Sequence, residues 1–340
     1  MPKRFGHLYE ACFTPEALHA AYVRARRGKR KRGAVLEFEC DLGANLHRLR
    51  ERLLADDYRP GPSVQFMVRE PKPRLITAPT FRDTIVQHAI YAQVYPIFDR
   101  GFIHDSYGCR VGKGTHRASD QAQRFLRASR PDSYTLQIDI RRFYYSIDRL
   151  ILRHLVERTI KDRRLVELMM RFAWQDSPLG IPIGSLLSQL FALVYLDPFD
   201  HWVKREVGIR HYVRYVDDAI FFDLQRDQAL ALRVAVVDWL DAHLHLALSR
   251  FTIAPVSRGV NFVGFRTWRS RRYLRKHSLA RFSRSLQRGD CPSLISILGN
   301  ARHTASFGHL AQRLMSERPA LLLHLPPSVR QSIEGAVHVC

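Results

Sequence analysis

The chain has 340 residues, room for two or three packed subdomains, and its five scattered cysteines (Cys12, Cys40, Cys109, Cys291, Cys340) include no C-x-x-C pair, which supports neither a disulfide framework nor a zinc ribbon. Lys and Arg number 54 against 32 Asp and Glu, a formal charge of +22, while 46% of residues are hydrophobic; this excludes a disordered polycation and points to a folded protein with a polyanionic partner, most simply nucleic acid. The N-terminus lacks a signal-like apolar run and no stretch approaches ~18 consecutive apolar residues, so a cytoplasmic protein without a membrane partner is expected.

The first outlier is Arg24 to Arg32, RARRGKRKR, with seven cations in nine positions. A solvated loop is the plain reading, but like charges packed this closely repel unless an anion screens them, so Arg26, Arg27, Lys29 and Arg30 are candidate phosphate contacts. Apolar spacing predicts a helix over 42–54, Val64–Val68 reads as a strand, and Thr80 with Asp83 marks a helix start whose apolar face continues through Ile85, Ala89, Ile90 and Val94. Residues 105–117, DSYGCRVGKGTHR, form a glycine-rich basic loop with Lys113 as a further backbone contact.

Tyr134 to Ile140 is an apolar strand carrying Asp139, and a helical stretch is expected over about 149–174. HYVRYVDDAIFFDL then has two apolar runs meeting at Asp217 and Asp218, the pattern of a tight β-hairpin. Leu230, Val234, Val237, Leu240 and Leu244 suggest the buried face of another helix, and Asn261–Phe265 a short strand. Between Arg266 and Arg288 there are nine cations, no acid, and three interleaved aromatics, Trp268, Tyr273 and Phe282. Charge for a sugar–phosphate backbone plus rings for bases or sugars fits a nucleic-acid channel, with Arg271, Arg272, Arg275 and Lys276 as contacts.

Each acid alone has a plain structural reading, Asp217 and Asp218 as turn residues and Asp139 as a helix cap. Together they are three carboxylates on otherwise apolar strands of a basic protein, a costly arrangement unless cations offset it. Mg²⁺ favours carboxylate oxygens plus substrate phosphates, and two ions ~3.5–4 Å apart clamp the attacking and leaving oxygens of a phosphoryl transfer.

RYVDDAIFF resembles the YxDD motif of reverse transcriptases, and QIDIRRFYYSID their preceding Asp-containing palm motif. PRLITAPTFRDTIVQHAI, SYGCRVGKGTHRA, GIPIGSLLSQLFALVYLDPFD and NFVGF are similar, in the same order, to further segments of the bacterial, group II intron-related enzymes; the resemblance covers roughly residues 40–270. One block departs from the common pattern. Where the intron group typically reads QGxxxSP, this chain reads Ile183-Gly184-Ser185-Leu186-Leu187-Ser188-Gln189, a form that resembles the reverse transcriptases of diversity-generating retroelements. Those enzymes copy a template-repeat RNA into cDNA with frequent errors opposite adenine, and the altered cDNA replaces a variable repeat in a target gene.

The resemblance implies an α+β right-hand polymerase fold: basic N-terminal segment and fingers over 1–130, antiparallel-sheet palm over 131–265, basic helical thumb over 266–340. It implies RNA-directed DNA polymerisation from dNTPs, two Mg²⁺ ions with Mn²⁺ as a substitute, and metal ligands Asp139, Asp217, Asp218 and the Ile140 backbone carbonyl. Template RNA, the RNA/cDNA duplex and a small basic pentameric accessory protein are the implied partners. Lys72 and Arg74 match cations that hold the triphosphate, Tyr144 the gate that excludes a 2′-hydroxyl, and Ile183 and Gly184 the nucleotide-facing pair. Phe262, Val263, Gly264 and Phe265 match the primer grip. Isoleucine at 183 lacks the hydrogen-bonding groups a glutamine offers to a base pair, which weakens discrimination; as an ordinary packed residue it would have no such effect. A retron or phage-defence reverse transcriptase, which would copy accurately, a group II intron maturase, which would normally keep QGxxxSP and carry a DNA-binding or endonuclease extension, and a non-catalytic RNA-binding scaffold are the alternatives.

Overall fold

Short polar side chains start many of the helices. Thr14, Thr80, Asp148, Asp162, Ser185 and Asp290 each accept a hydrogen bond from a backbone N–H in the first turn that follows, satisfying donors that the helix itself leaves free. The computed structural model describes residues 4–69, 73–177 and 179–337. The chain folds into two compact units.

The first unit is drawn from Met1–His104, Ile140–Gly208 and Ala235–Arg250. Its helices include Pro15–Ala25, Gly33–Glu39, Leu42–Leu54, Phe81–Asp99, Arg149–Glu157 and Arg163–Ala173 around Leu186–His201. That last helix buries Leu187, Leu190, Phe191, Leu193, Tyr195 and Phe199 on several sides, as a helix at the centre of a core must. Strands β1 (Val64–Val68) and β2 (Arg74–Ala78) form an antiparallel pair with Phe66 opposite Ile76. The expected helical stretch over 149–174 is two helices rather than one, because Asp162 caps the second with its carboxylate on the Leu165 N–H.

The second unit is drawn from Asp105–Asp139, Ile209–Val234 and Phe251–Cys340. Its main sheet has the order β4-β5-β3-β6, from strands β3 (Tyr134–Ile140), β4 (Tyr212–Tyr215), β5 (Asp218–Leu224) and β6 (Leu248–Pro255). β5 pairs antiparallel with both β3 and β4. Leu136, Ile138 and Ile140 of β3 are buried while Gln137 and Asp139 are only partly so, the two-residue alternation of a sheet with one covered face. The Thr115–Ala128 helix supplies Ala118, Ala122 and Leu126 to a core shared with Val213, Ile220 and Phe222. A second sheet joins β7 (Val260–Phe262), β8 (Phe265–Thr267) and β9 (Arg272–Leu274), and the helices Lys276–Arg288, Cys291–Ala301, Phe307–Glu317 and Pro327–Val337 pack around Phe282, Leu298 and Leu314.

Two sequence expectations are corrected. Asn261–Phe265 is not one strand: Phe262 pairs with Phe265 across a two-residue turn in which Val263 (φ 43°) and Gly264 (φ 92°) both have positive φ, the signature of a type I′ hairpin. In the Arg226–Leu244 helix, Leu230, Val234 and Val237 are 41–46% exposed, and the buried positions are Ala229, Leu232, Val236, Leu240 and Leu244. Apolar residues lie on more than one side of this helix, so Leu230, Val234 and Val237 gave the wrong face, while Leu240 and Leu244 are buried as expected. No helix among the described residues is long and apolar enough to cross a membrane.

Candidate active site

β3 carries Asp139 one residue from its end, and antiparallel pairing sets it directly opposite Asp218, the first residue of β5. Tyr215 is the partner of Asp218 on the other side, so β4 and β5 are joined by the two-residue loop Val216–Asp217. Three carboxylates from distant stretches are thereby gathered at one end of the sheet. Facing like charges on neighbouring strands repel. Burial pushes the Asp218 carboxyl up to about 7, the charges of Asp139 and Asp217 act in the same direction, and a hydrogen bond from Gln137 and the charge of Arg275 oppose them.

Gln137 is the residue that sequence reasoning missed here. Its Nε2 donates to Asp218 Oδ1 at 2.8 Å and to the Asn261 carbonyl at 2.9 Å, tying the carboxylate to β7. It lies two residues before Asp139 on the same face of β3, and that period-two relation was the available signal. Among the described residues no three His, Cys, Asp or Glu side chains are close enough to hold a metal ion as they stand. The facing pair nevertheless fits Mg²⁺, which is usually bound through one or two carboxylates with substrate phosphates completing its shell. A carboxyl that ionises only near neutrality beside two others is the donor chemistry a divalent cation relieves.

The primer-grip candidates form the β7–β8 turn. Phe262 and Phe265 are buried, and the Gly264 carbonyl accepts from the Arg275 N–H at 3.4 Å. Of the cations expected on a nucleic-acid backbone, Arg271 and Lys276 are exposed, and Lys113 has its Nζ 4.6 Å from the Tyr107 ring centroid. Arg272 does not fit that role. Its side chain is 5% exposed, pairs with Asp120 at 2.8 Å, bonds Gln123 at 3.2 Å and lies over the Phe265 ring, because its alternate position on β9 points it into the packing.

The first unit gathers a different set. In the 180–185 loop, the Gly180 N–H bonds the Ile147 carbonyl and the Ile181 N–H the Tyr144 carbonyl, while the Ile183 carbonyl accepts from the Thr77 N–H of β2 at 2.7 Å. A Cβ on Gly184, whose φ is +113°, would sit 2.8 Å from Ile76 Cγ2, so glycine is required both for the conformation and for contact with β2. Gln87, fully buried, accepts from Ser185 Oγ and from the N–H groups of Leu186 and Leu187, fixing the loop's exit into the next helix. Tyr144, Ile183, Gly184 and the strand of Arg74 thus come together, with Ile183 half-buried and Gly184 exposed. A cavity of about 770 Å³ lies beside them, lined among others by Thr77, Gln87, Tyr145, Pro182 and Ser185. Lys72 lies outside the described residues. In the basic run, Arg26 is tied to Glu39 at 2.9 Å and lies over Tyr22, Arg27 and Arg30 are exposed, and Lys29 is half-buried.

The reverse transcriptase (RNA-dependent DNA polymerase) family model matches residues 68–267, which contain all three acids, the 180–185 loop and the Val263–Gly264 turn. The chain belongs to the reverse transcriptase family. It is similar to protein YkfC of Escherichia coli, 23% identical over 77% of this chain and 81% of that one. It is also similar to the group II intron-encoded protein LtrA of Lactococcus lactis, 26% identical over 58% of this chain, spanning 35% of LtrA. The telomerase of Candida albicans, solved with a fragment of telomeric RNA, has a similar fold: TM-score 0.51 at 10% identity, covering 83% of this chain and 61% of that one. The fold is therefore the mixed helix-and-antiparallel-sheet polymerase fold of that family, and the family activity is RNA-directed DNA polymerisation.

Proposed function

We propose that this reverse transcriptase makes error-prone cDNA from a template-repeat RNA, as the mutagenic copying step of a diversity-generating retroelement. The observation that carries the reading is Ile183-Gly184 at the head of IGSLLSQ, where the intron group resembled by the neighbouring blocks reads glutamine-glycine. Ile183 is half-buried rather than sealed in the core, its carbonyl is committed to Thr77, and its side chain has no polar atom to offer a base pair. Loss of that polar positioning reduces the free-energy gap between correct and incorrect pairs.

In this reading Asp139 and Asp218, with Asp217 on the turn and the Ile140 carbonyl beside them, hold divalent cations, Mg²⁺ or in its place Mn²⁺. When bound, those cations supply Lewis-acid activation of the primer 3′-hydroxyl and charge neutralisation at the leaving pyrophosphate. The chain's own part is positional. Gln137 holds one oxygen of Asp218, Tyr144 lies beneath the sugar of the incoming dNTP, Lys72 and Arg74 meet its triphosphate, and Phe262–Phe265 steady the primer end. Exposed cations of the two basic segments bind template RNA and the RNA/cDNA duplex, and a small basic pentameric protein is the accessory partner. We assign the fingers to 1–130, the palm to 131–265 and the thumb to 266–340.

The test is sequencing of cDNA made by the purified chain, with and without a candidate accessory protein, on RNA rich in adenine. Errors concentrated opposite adenine, and reduced by Ile183→Gln, are expected. Accurate cDNA from the native chain would favour the retron or defence reading, and no synthesis with either metal an RNA-binding scaffold.

A further inference from the structure

The turn that delivers Asp217 is built from a residue poorly suited to it. Val216 has φ 56°, a left-handed conformation that a β-branched residue adopts only when its surroundings impose it. Two-residue hairpin loops with positive φ at their first position ordinarily place glycine, asparagine or aspartate there, not a β-branched residue. Something other than local preference holds this peptide.

Two neighbours do so. Gly108 lies against the turn so closely that a Cβ there would stand 2.5 Å from Val216 Cγ2 and 2.7 Å from Val216 N. Its own φ is not among the positive values, so glycine is needed there for the approach, not for the backbone angle. The second neighbour is Arg214, 1% exposed and the largest fully buried side chain among the described residues. Its backbone is held on both sides, its N–H donating to the Asp105 carbonyl and its carbonyl accepting from the Tyr107 N–H, each at 2.9 Å. Its guanidinium Nη1 then donates to the Val216 carbonyl at 2.9 Å. That carbonyl belongs to the planar peptide joining Val216 to Asp217, so a fixed donor on it fixes the direction in which Asp217 leaves the turn.

We infer that Arg214 and Gly108 are positioning residues for the Asp217 carboxylate: the buried guanidinium and the glycine contact together hold the Val216–Asp217 peptide in its strained orientation. The inference rests on the reading of Asp217 as a working carboxylate. Both residues are buried. Both act through one peptide plane, and their effects are therefore coupled rather than independent.

The experiment compares Gly108→Ala, Val216→Ala, the double variant and Arg214→Lys in primer extension, RNA binding and thermal melting, with Mn²⁺ binding followed by the free-ion EPR signal. Gly108→Ala should lower kcat about 100-fold, the scale of an ångström-sized misplacement. The KM for dNTP and RNA affinity should change little, and half-saturation by Mn²⁺ should rise about tenfold. Val216→Ala removes the methyl that the new Cβ would strike and should recover at least tenfold of that kcat in the double variant; the backbone contact remains, so recovery is partial. Arg214→Lys keeps the charge but loses the rigid fork and should reproduce the Mn²⁺ shift. If Arg214→Lys does not fold, the Gly108–Val216 pair decides alone, since it leaves the guanidinium in place. Native kcat and Mn²⁺ binding in Gly108→Ala, or losses in the double variant that simply multiply, would overturn the inference while Asp217→Ala remained inactive. An Asp217→Ala enzyme that still extends primers would overturn the acid's assignment first, and the inference with it.

Discussion

The second unit contains two hairpins with two-residue loops, each beginning with a valine at positive φ, and they solve the same problem differently. At Val263–Gly264 the second position is a glycine at φ 92°, and a Cβ there would meet nothing within 4 Å. That turn uses glycine for its own backbone. At Val216–Asp217 only the valine has positive φ and the second position is an acid, while a glycine from a different segment, Gly108, permits a close approach to the strained valine. The comparison teaches that a turn can be shaped from within by its own sequence or from outside by what packs on it. The turn proposed to carry chemistry uses the second route, which leaves its second position free to be an acid.

The largest effect expected on either hairpin is at Asp218. Asp218→Asn should abolish primer extension, and it should also change how stability depends on pH. The native carboxyl titrates at about 7 against an ordinary 3.8, so the folded protein holds this proton more tightly than the unfolded chain. Stability from this group is therefore full below the unfolded value and is lost as pH rises toward and through 7, by an amount on the order of a few kcal/mol. Urea melts of the metal-free protein between pH 5 and 8 should slope downward, and those of Asp218→Asn should be flatter. An identical slope in both would show that burial and the neighbouring acids do not hold the Asp218 proton.

The β7–β8–β9 sheet gives smaller effects, on stability rather than chemistry. Arg272→Ala removes a buried guanidinium that pairs with Asp120 and covers Phe265, and should cost about 2 kcal/mol in urea denaturation. Gly264→Ala should cost about 1 kcal/mol, because open space surrounds the site and only the left-handed backbone resists a side chain. A loss several times larger would mean that this turn too is shaped from outside, and the contrast with Val216–Asp217 would collapse.

Much of this arrangement was legible in the sequence where the signal is local. The apolar strand Tyr134–Ile140, the paired apolar runs around Asp217–Asp218 and the Thr80 cap each read correctly because neighbours in the chain determine them. What the sequence did not disclose are contacts between segments far apart in it. Gln137 reaches Asp218 across 81 residues, and Gly108 meets Val216 with no pattern to announce either. The NFVGF hairpin was missed for a different reason. Its turn residues, valine and glycine, lie inside an apolar run, and the valine masks a turn that asparagine–glycine would have announced. The Arg226–Leu244 helix misled because leucine and valine lie both outside, at 230, 234 and 237, and inside, at 232 and 236.

The smallest effect separates two adjacent arginines that the sequence could not distinguish. Arg271 is exposed immediately before β9, while Arg272 is its first residue and turns inward. If charge at this edge serves RNA, Arg271→Ala should leave the urea midpoint unchanged and weaken RNA binding only modestly. Its signature is in the salt dependence: each phosphate that the protein no longer neutralises lowers the slope of log affinity against log salt by about 0.7–0.9. Arg272→Ala should do the reverse, lowering stability while leaving that slope intact, because a guanidinium held by Asp120 and Gln123 releases no counterions from a nucleic acid. Filter binding across a salt series, run beside denaturation of both variants, distinguishes a cation that serves the ligand from one that holds the β7–β8–β9 sheet in place.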